Sequence, residues 1–128
     1  MLLPAPPARR LVVVTCMDAR LEPLSQHGLE LGDAHVLRNA GAVVTDDVLR
    51  SLAVSSTFMG TRRALVVGHT ECGIERLDTD LLPYDDVEEA VRDGVRRIDE
   101  SPLLPDGFTA SGAIWDLAAG ELRRLQGV

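Results

Sequence analysis

The chain has no lysine and only two cysteines, and each shortage excludes a class of protein. All 13 basic residues among its 128 are arginine, and 20 acidic residues bring the net charge to −7. A surface that follows nucleic-acid phosphates needs the opposite sign, so we expect no nucleic-acid partner. Two cysteines are too few for a disulfide scaffold, which leaves reactivity or metal binding as their predicted role.

Long hydrophobic runs are missing as well. The longest strongly apolar segments, such as residues 11–15 (LVVVT) and 64–68 (ALVVG), are far shorter than the roughly 20 residues that cross a bilayer. The first ten residues contain three prolines and lack the continuous apolar stretch of a secretory signal. We therefore expect a proline-rich leader over residues 1–10, no membrane partner and a cytoplasmic location.

Apolar, β-branched runs alternate with helical patterns along the rest of the chain. The predicted elements are strands at 11–15, 35–37 and 64–68, a short helix around 23–29, helices from Thr45 to near Gly60 and from near Asp85 to Pro102, and a hairpin at 113–117 and 122–125. This alternation predicts an α/β fold with a mostly parallel sheet flanked by helices and a C-terminal edge hairpin. We expect one domain over residues 11–128.

Three candidate metal ligands follow two of the predicted buried strands. Cys16 comes directly after the first strand, His69 after the third, and Cys72 three residues later. In parallel sheets the ligand site lies beyond the carboxyl ends of the strands, so these side chains are expected to converge there. Two thiolates and one imidazole suit zinc, and three protein ligands are typical of a catalytic ion. The alternatives are that Cys16 is a packing residue and His69 a capping side chain, or that a disulfide joins the two cysteines.

A charged pair lies beside the first of these ligands. Asp18 and Arg20 follow Cys16 closely, and a bidentate contact from the guanidinium would hold the carboxylate ionised and aimed. Such a carboxylate could accept the proton of a zinc-bound water, whereas the alternative is an ordinary ion pair in a surface loop. His27 and His35 could relay protons if they lie near the site, although a lone histidine is more often structural.

The segments TCMDAR, HVLRNAGAVVTDDVLRSLAVS and VVGHTECG resemble the β-class carbonic anhydrases, most densely over residues 11–73. The resemblance implies that Cys16, His69 and Cys72 hold a zinc ion. It also implies that Asp18 and Arg20 form a dyad that orients the zinc-bound water. In that family the aspartate can become a fourth ligand in a closed state, which gives Asp18 a second expected role.

The resemblance implies a lyase that reversibly hydrates carbon dioxide to bicarbonate by a zinc-bound hydroxide, as a homodimer or larger homo-oligomer. One alternative is a hydrolase of carbonyl sulfide or carbon disulfide, which are linear, apolar relatives of carbon dioxide. Another is an inert zinc-binding relative with an assembly or regulatory role. The short leader and the short segment after Gly73 motivate this last alternative.

Overall fold

The computed structural model describes residues 2–73, 77 and 79–128 of the chain. Its strands are β1 (Leu11–Cys16), β2 (Ala34–Asn39), β3 (Arg63–His69), β4 (Thr109–Asp116) and β5 (Glu121–Arg124), and its α-helices are α1 (Asp46–Met59) and α2 (Val87–Glu100). A 3₁₀ turn, Ser25–His27, lies where the sequence predicts a short helix. It ends at Gly28, whose φ of 70° is left-handed and favours glycine.

The five strands form one sheet in the order β2-β1-β3-β4-β5. The first four strands of this order run parallel, and β5 pairs antiparallel with β4. The predicted α/β fold with its C-terminal edge hairpin is therefore confirmed. The hairpin strand β4 begins at Thr109, earlier than the predicted start at residue 113. Consequently, the carboxyl ends of β1, β2 and β3 lie side by side at one edge of the sheet.

Both α-helices pack on the same face of the sheet and form the main core. Leu52 of α1 and Val91 of α2 are fully buried there against Val12 and Val66. The helix α2 approaches the sheet closely because β4 presents Gly112, where an added Cβ would lie 2.7 Å from Val91 Cγ1. Thr45 caps α1 as the sequence predicts, since its side chain accepts a hydrogen bond from the Val48 N–H.

The leader lies along the amino end of the sheet. The Ala8 N–H donates to the Gly32 carbonyl at 2.9 Å, and the Arg9 N–H donates to the Asp33 carbonyl at 2.9 Å. The carbonyl of Ala5 lies 2.9 Å from His35 Nε2 on β2. These contacts attach the leader to the strand end opposite to Cys16.

The short segment that the sequence shows after Gly73 includes residues outside the described ranges. Within the described ranges, no helix has both the length and the apolar character needed to cross a membrane.

Candidate metal centre

The two cysteines and His69 converge at the carboxyl edge of the sheet. Cys16 is the last residue of β1, His69 is the last residue of β3, and Cys72 follows in the next turn. Their ligating atoms all lie within 4.8 Å of one another. The three residues are only 2%, 1% and 4% exposed, respectively. No disulfide joins the two cysteines, so the disulfide alternative is wrong for this structure.

The orientation of His69 leaves one ring nitrogen available for a ligand. Its Nδ1 lies 2.8 Å from the Thr70 carbonyl oxygen, which can only accept a hydrogen bond, so Nδ1 carries the proton. Nε2 is buried and has no hydrogen-bond partner among the described residues. A buried polar atom without a partner is costly and calls for an explanation. A metal ion bound at Nε2 supplies one, since the partner of the other nitrogen fixes the tautomer of a ligating histidine.

The surroundings of Cys16 favour its thiolate form. Burial raises the pKa of the Cys16 thiol, but the neighbouring His69 and the backbone N–H groups of Gly41 and Asp18 together lower it to about 7. In turn, the Cys16 sulfur raises the pKa of His69. Thiolates are the form in which cysteines bind metals. Two sulfurs and one imidazole nitrogen within this distance therefore fit zinc, which prefers such ligands.

Asp18 and Arg20 form a bidentate ion pair next to this cluster. Arg20 Nε donates to Asp18 Oδ1 at 3.0 Å and Nη2 donates to Oδ2 at 2.7 Å. Nη2 also donates to the Glu71 carbonyl at 2.8 Å, which connects the turn after β1 to the turn after β3. The Arg20 guanidinium holds the pKa of Asp18 well below its usual range. Asp18 Oδ2 lies 3.7 Å from His69 Nε2, so the carboxylate borders the cluster.

The walls beside the cysteines are apolar. Leu21 and Ala42 are buried with Cys16 and Cys72, and the partly buried Trp115 and Leu117 pack against them. The β4–β5 hairpin attaches to this wall through Thr70, whose hydroxyl accepts a hydrogen bond from the Leu117 N–H at 2.9 Å. A water-poor wall strengthens the electrostatic interactions of the charged groups that it borders.

The other two histidines lie outside the cluster. His35 is paired in register with Val12 near the start of β1 and contacts Ser55 Oγ at 2.6 Å. His27 lies closer, because its ring meets Trp115 edge to face with the centroids 5.7 Å apart. Burial lowers the pKa of His27, and its Nδ1 has no hydrogen-bond partner among the described residues. A proton-relay role for either residue remains a prediction.

Sequence reasoning assigned no role to Arg38, which contacts the loop of the candidate site. Arg38 Nε donates to the Cys16 carbonyl at 2.9 Å, and Nη2 donates to the Asp18 carbonyl at 2.8 Å. The position of Arg38 near the end of a strand adjacent to β1 is the one sequence signal that could have identified it. Periodicity gives no information about which carbonyl a long side chain reaches.

Comparison with known proteins gives consistent results. The family profile described as carbonic anhydrase matches residues 11–102. The β-carbonic anhydrase 1 of Mycobacterium tuberculosis is 39% identical, over 96% of this chain and 86% of that protein. A carbonic anhydrase structure from Streptococcus mutans has a TM-score of 0.91 and 41% identity, and covers 98% of this chain and 87% of that one. A carbon disulfide hydrolase of Acidithiobacillus thiooxidans is 34% identical, over 92% of this chain and 78% of that protein.

Proposed function

Because the chain belongs to the β-carbonic anhydrase family, we propose that it is a zinc enzyme that reversibly hydrates carbon dioxide to bicarbonate. The observation that carries the proposal is the buried Nε2 of His69, which has no hydrogen-bond partner among the described residues and lies close to two cysteine sulfurs. Cys16, His69 and Cys72 would hold the ion within a single domain over residues 11–128. With three protein ligands, the ion would remain able to bind water.

A bound zinc ion would supply Lewis acidity, which makes water a better nucleophile. The residues of the chain then orient the reactants and exclude bulk water. Asp18 lies beside His69 Nε2 and offers its oxygens as hydrogen-bond acceptors to the reacting water. The apolar wall of Leu21, Ala42 and Trp115 suits an uncharged, linear substrate that makes few hydrogen bonds.

Arg20 determines which part Asp18 takes in the reaction. A carboxylate whose pKa is held well below its usual range is a weak base but a permanent hydrogen-bond acceptor. Asp18 therefore orients the lone pair of the nucleophile toward the substrate, and the proton leaves for solvent. The side chain of Arg20, which contacts Asp18, is half-exposed, so a proton released beside Asp18 has solvent nearby to accept it.

The test of the proposal is zinc content measured together with carbon dioxide hydration, in the wild type and in Cys16→Ser. We expect about one zinc per wild-type chain and rapid hydration in a stopped-flow assay. Cys16→Ser replaces a soft thiolate with a hydroxyl that stays protonated, so both zinc and activity should be lost. A wild-type protein without zinc, or a Cys16→Ser variant with full activity, contradicts the proposal.

Hydrolysis of carbon disulfide is a second candidate function. It is favoured by the relatives named carbon disulfide hydrolase, which include one that is 40% identical over 78% of this chain and 48% of its own length. The same ligands and the same apolar wall would serve both linear substrates. Parallel assays for bicarbonate and for sulfide release decide between them. A rate of sulfide release above the rate of carbon dioxide hydration would assign the hydrolase.

The proposal includes a homodimer or larger assembly in the cytoplasm. β2 is an edge strand of the sheet, and an unpaired edge is commonly covered by a second copy. Two neighbouring cysteines that form no disulfide are consistent with a reducing compartment such as the cytoplasm. Sedimentation of a folded, active monomer would contradict the homodimer.

A further inference from the structure

The RNAG segment, residues 38–41, connects β2 to the loop that carries Cys16. Arg38 donates hydrogen bonds to the carbonyls of Cys16 and Asp18. The Met17 N–H donates to the Asn39 carbonyl at 2.8 Å, which extends the β1–β2 pairing one residue past Cys16. The backbone on both sides of the Cys16 side chain is therefore fixed by contacts from this neighbouring segment.

The Asn39 side chain closes a ring with Val43 at the end of the RNAG segment. Asn39 Nδ2 donates to the Val43 carbonyl at 2.7 Å, and the Val43 N–H donates to Asn39 Oδ1 at 3.0 Å. The ring encloses a turn in which Gly41 has a φ of 89° and Ala42 has a φ of 56°. Left-handed backbone at alanine is strained and persists only when its surroundings enforce it. Ala42 is fully buried, and the two hydrogen bonds of the Asn39 ring close across this turn and support it.

The turn places Ala42 in the buried cluster that contains Cys16, and the adjacent Gly41 N–H, together with the Asp18 N–H, favours negative charge on the Cys16 sulfur. Hydrogen bonds to a ligating atom fix its direction and modulate the charge that it gives to a metal. We infer that Asn39 is a positioning residue for the metal ligand Cys16, because its side chain holds the turn that packs Ala42 beside Cys16 and places the Gly41 N–H next to it. The inference depends on the proposed function only in taking Cys16 as a ligand.

The loss of the Asn39 ring has two expected consequences for a metal at Cys16. The sulfur is no longer held in one direction, so the free protein must order it when the metal binds, and affinity falls. The sulfur also loses the nearby Gly41 N–H that favours its negative charge, so it donates more charge to the metal. Cobalt(II) reports the second effect directly, because its sulfur-to-metal charge-transfer band moves to longer wavelength as the thiolate becomes a stronger donor.

The experiment compares the wild type with Asn39→Leu, which has a similar size and lacks both side-chain hydrogen bonds. Zinc affinity is measured by competition with a chromophoric chelator, and cobalt(II) is then added to metal-free protein for the absorption spectrum. We expect zinc binding to weaken about 10- to 100-fold and the charge-transfer band to move to longer wavelength. Asp33→Ala is the matched control, since it removes a side-chain bond to the Glu30 N–H beside the opposite end of β2. It should change neither readout.

Unchanged zinc affinity and an unchanged cobalt band in folded Asn39→Leu would overturn the inference, as would an equal loss in Asp33→Ala. If Asn39→Leu does not fold, Asn39→Asp decides by the same two readouts. That variant keeps the acceptor for the Val43 N–H but loses the donor to the Val43 carbonyl. Neither readout uses carbon dioxide. A protein that binds zinc without hydrating the substrate thus fails the proposed function and still tests Asn39, and a wild type that binds neither metal overturns both.

Discussion

Each end of the parallel sheet carries a histidine, and the two histidines differ in how their ring nitrogens are hydrogen-bonded. At the amino end, both ring nitrogens of His35 have partners, namely the Ser55 hydroxyl and the Ala5 carbonyl. At the carboxyl end, His69 uses one nitrogen for the Thr70 carbonyl, and its other nitrogen is buried beside two sulfurs with no hydrogen-bond partner in the described part of the chain. The first histidine has both nitrogens satisfied by contacts within the fold, whereas the second has one nitrogen placed where a ligand could bind.

His27 shows that an unpartnered nitrogen is not sufficient evidence for a metal site. Its Nδ1 is also buried and unpartnered among the described residues, but its nearby groups are Gln26 and the ring of Trp115. An amide and an aromatic ring are poor zinc ligands compared with thiolates. The distinction between the ends of the sheet therefore depends on the set of atoms around each histidine.

The largest expected effect tests the comparison directly through His69. In His69→Gln, the neutral nitrogen ligand is lost while the side chain stays polar and similar in size. We expect zinc to be lost and the hydration rate to fall by about three orders of magnitude or more, since the proposed chemistry depends on the metal. Zinc analysis and stopped-flow hydration measure the two quantities. Retention of zinc and activity would show that His69 is structural, as His35 is.

The next effect concerns the carboxylate that borders the cluster. Asp18→Asn keeps the shape of the side chain but removes the charge that Arg20 holds in place. We expect kcat/KM for hydration to fall about 100-fold, because the acceptor for the reacting water is weakened, while zinc content stays the same. Asp33→Ala removes a carboxylate beside the opposite end of β2 and should keep full activity. Equal, near-background rates for the wild type and Asp18→Asn would favour the inert zinc-binding alternative.

A smaller effect on stability is expected at the amino end. His35→Ala leaves the Ser55 hydroxyl and the Ala5 carbonyl without this partner. We expect the free energy of unfolding to fall by about 1–3 kcal/mol, with the hydration rate at 25 °C within about twofold of the wild type. Urea unfolding and the hydration assay measure these changes. A loss of zinc in this variant would contradict the separation of the two ends.

The smallest effect is a pH dependence from His27. Burial lowers the pKa of this histidine in the folded chain from its ordinary value of 6.5. Its neutral form is therefore favoured by folding, so the associated stability is present above pH 6.5 and is lost as the pH falls through the lowered pKa. His27→Phe keeps a ring against Trp115 and cannot titrate. We expect its unfolding free energy, from urea curves, to decline less than that of the wild type on acidification. Parallel declines would assign the acid sensitivity to other groups.

The sequence was sufficient to predict the sheet and the convergence of the candidate ligands. Continuous β-branched runs identify β1 and β3, and their last residues identify Cys16 and His69. The start of β4 could not be predicted in the same way. Its first residues, 109–112 (TASG), lack large apolar side chains. Gly112 nevertheless packs in the core, because the absence of a side chain there lets Val91 of α2 come close. That requirement arises from packing and leaves no local periodicity.

The contacts of the RNAG segment with the Cys16 loop could not be predicted from the sequence pattern, for a different reason. The motif contributed to the family resemblance, but the ring between Asn39 and Val43 depends on a left-handed turn that no propensity indicates at Ala42. By contrast, the sequence predicts a bidentate contact between Asp18 and Arg20, because the two residues are near neighbours in the chain. The contact of Arg20 with the Glu71 carbonyl connects distant parts of the chain and becomes visible only in three dimensions.

Through this last contact, the guanidinium of Arg20 connects two loops of the site. Arg20 holds the Asp18 carboxylate and the carbonyl of Glu71, which lies in the turn between His69 and Cys72. If Asp18 rotates away from Arg20, the guanidinium is free to move and its hydrogen bond to the Glu71 carbonyl, next to Cys72, is weakened. Conversely, a shift of the Glu71 turn moves Arg20 and so changes the orientation of the Asp18 carboxylate. A lysine has a single charged nitrogen and no planar fork, so it could not make the bidentate contact with Asp18 and the contact with the Glu71 carbonyl at the same time.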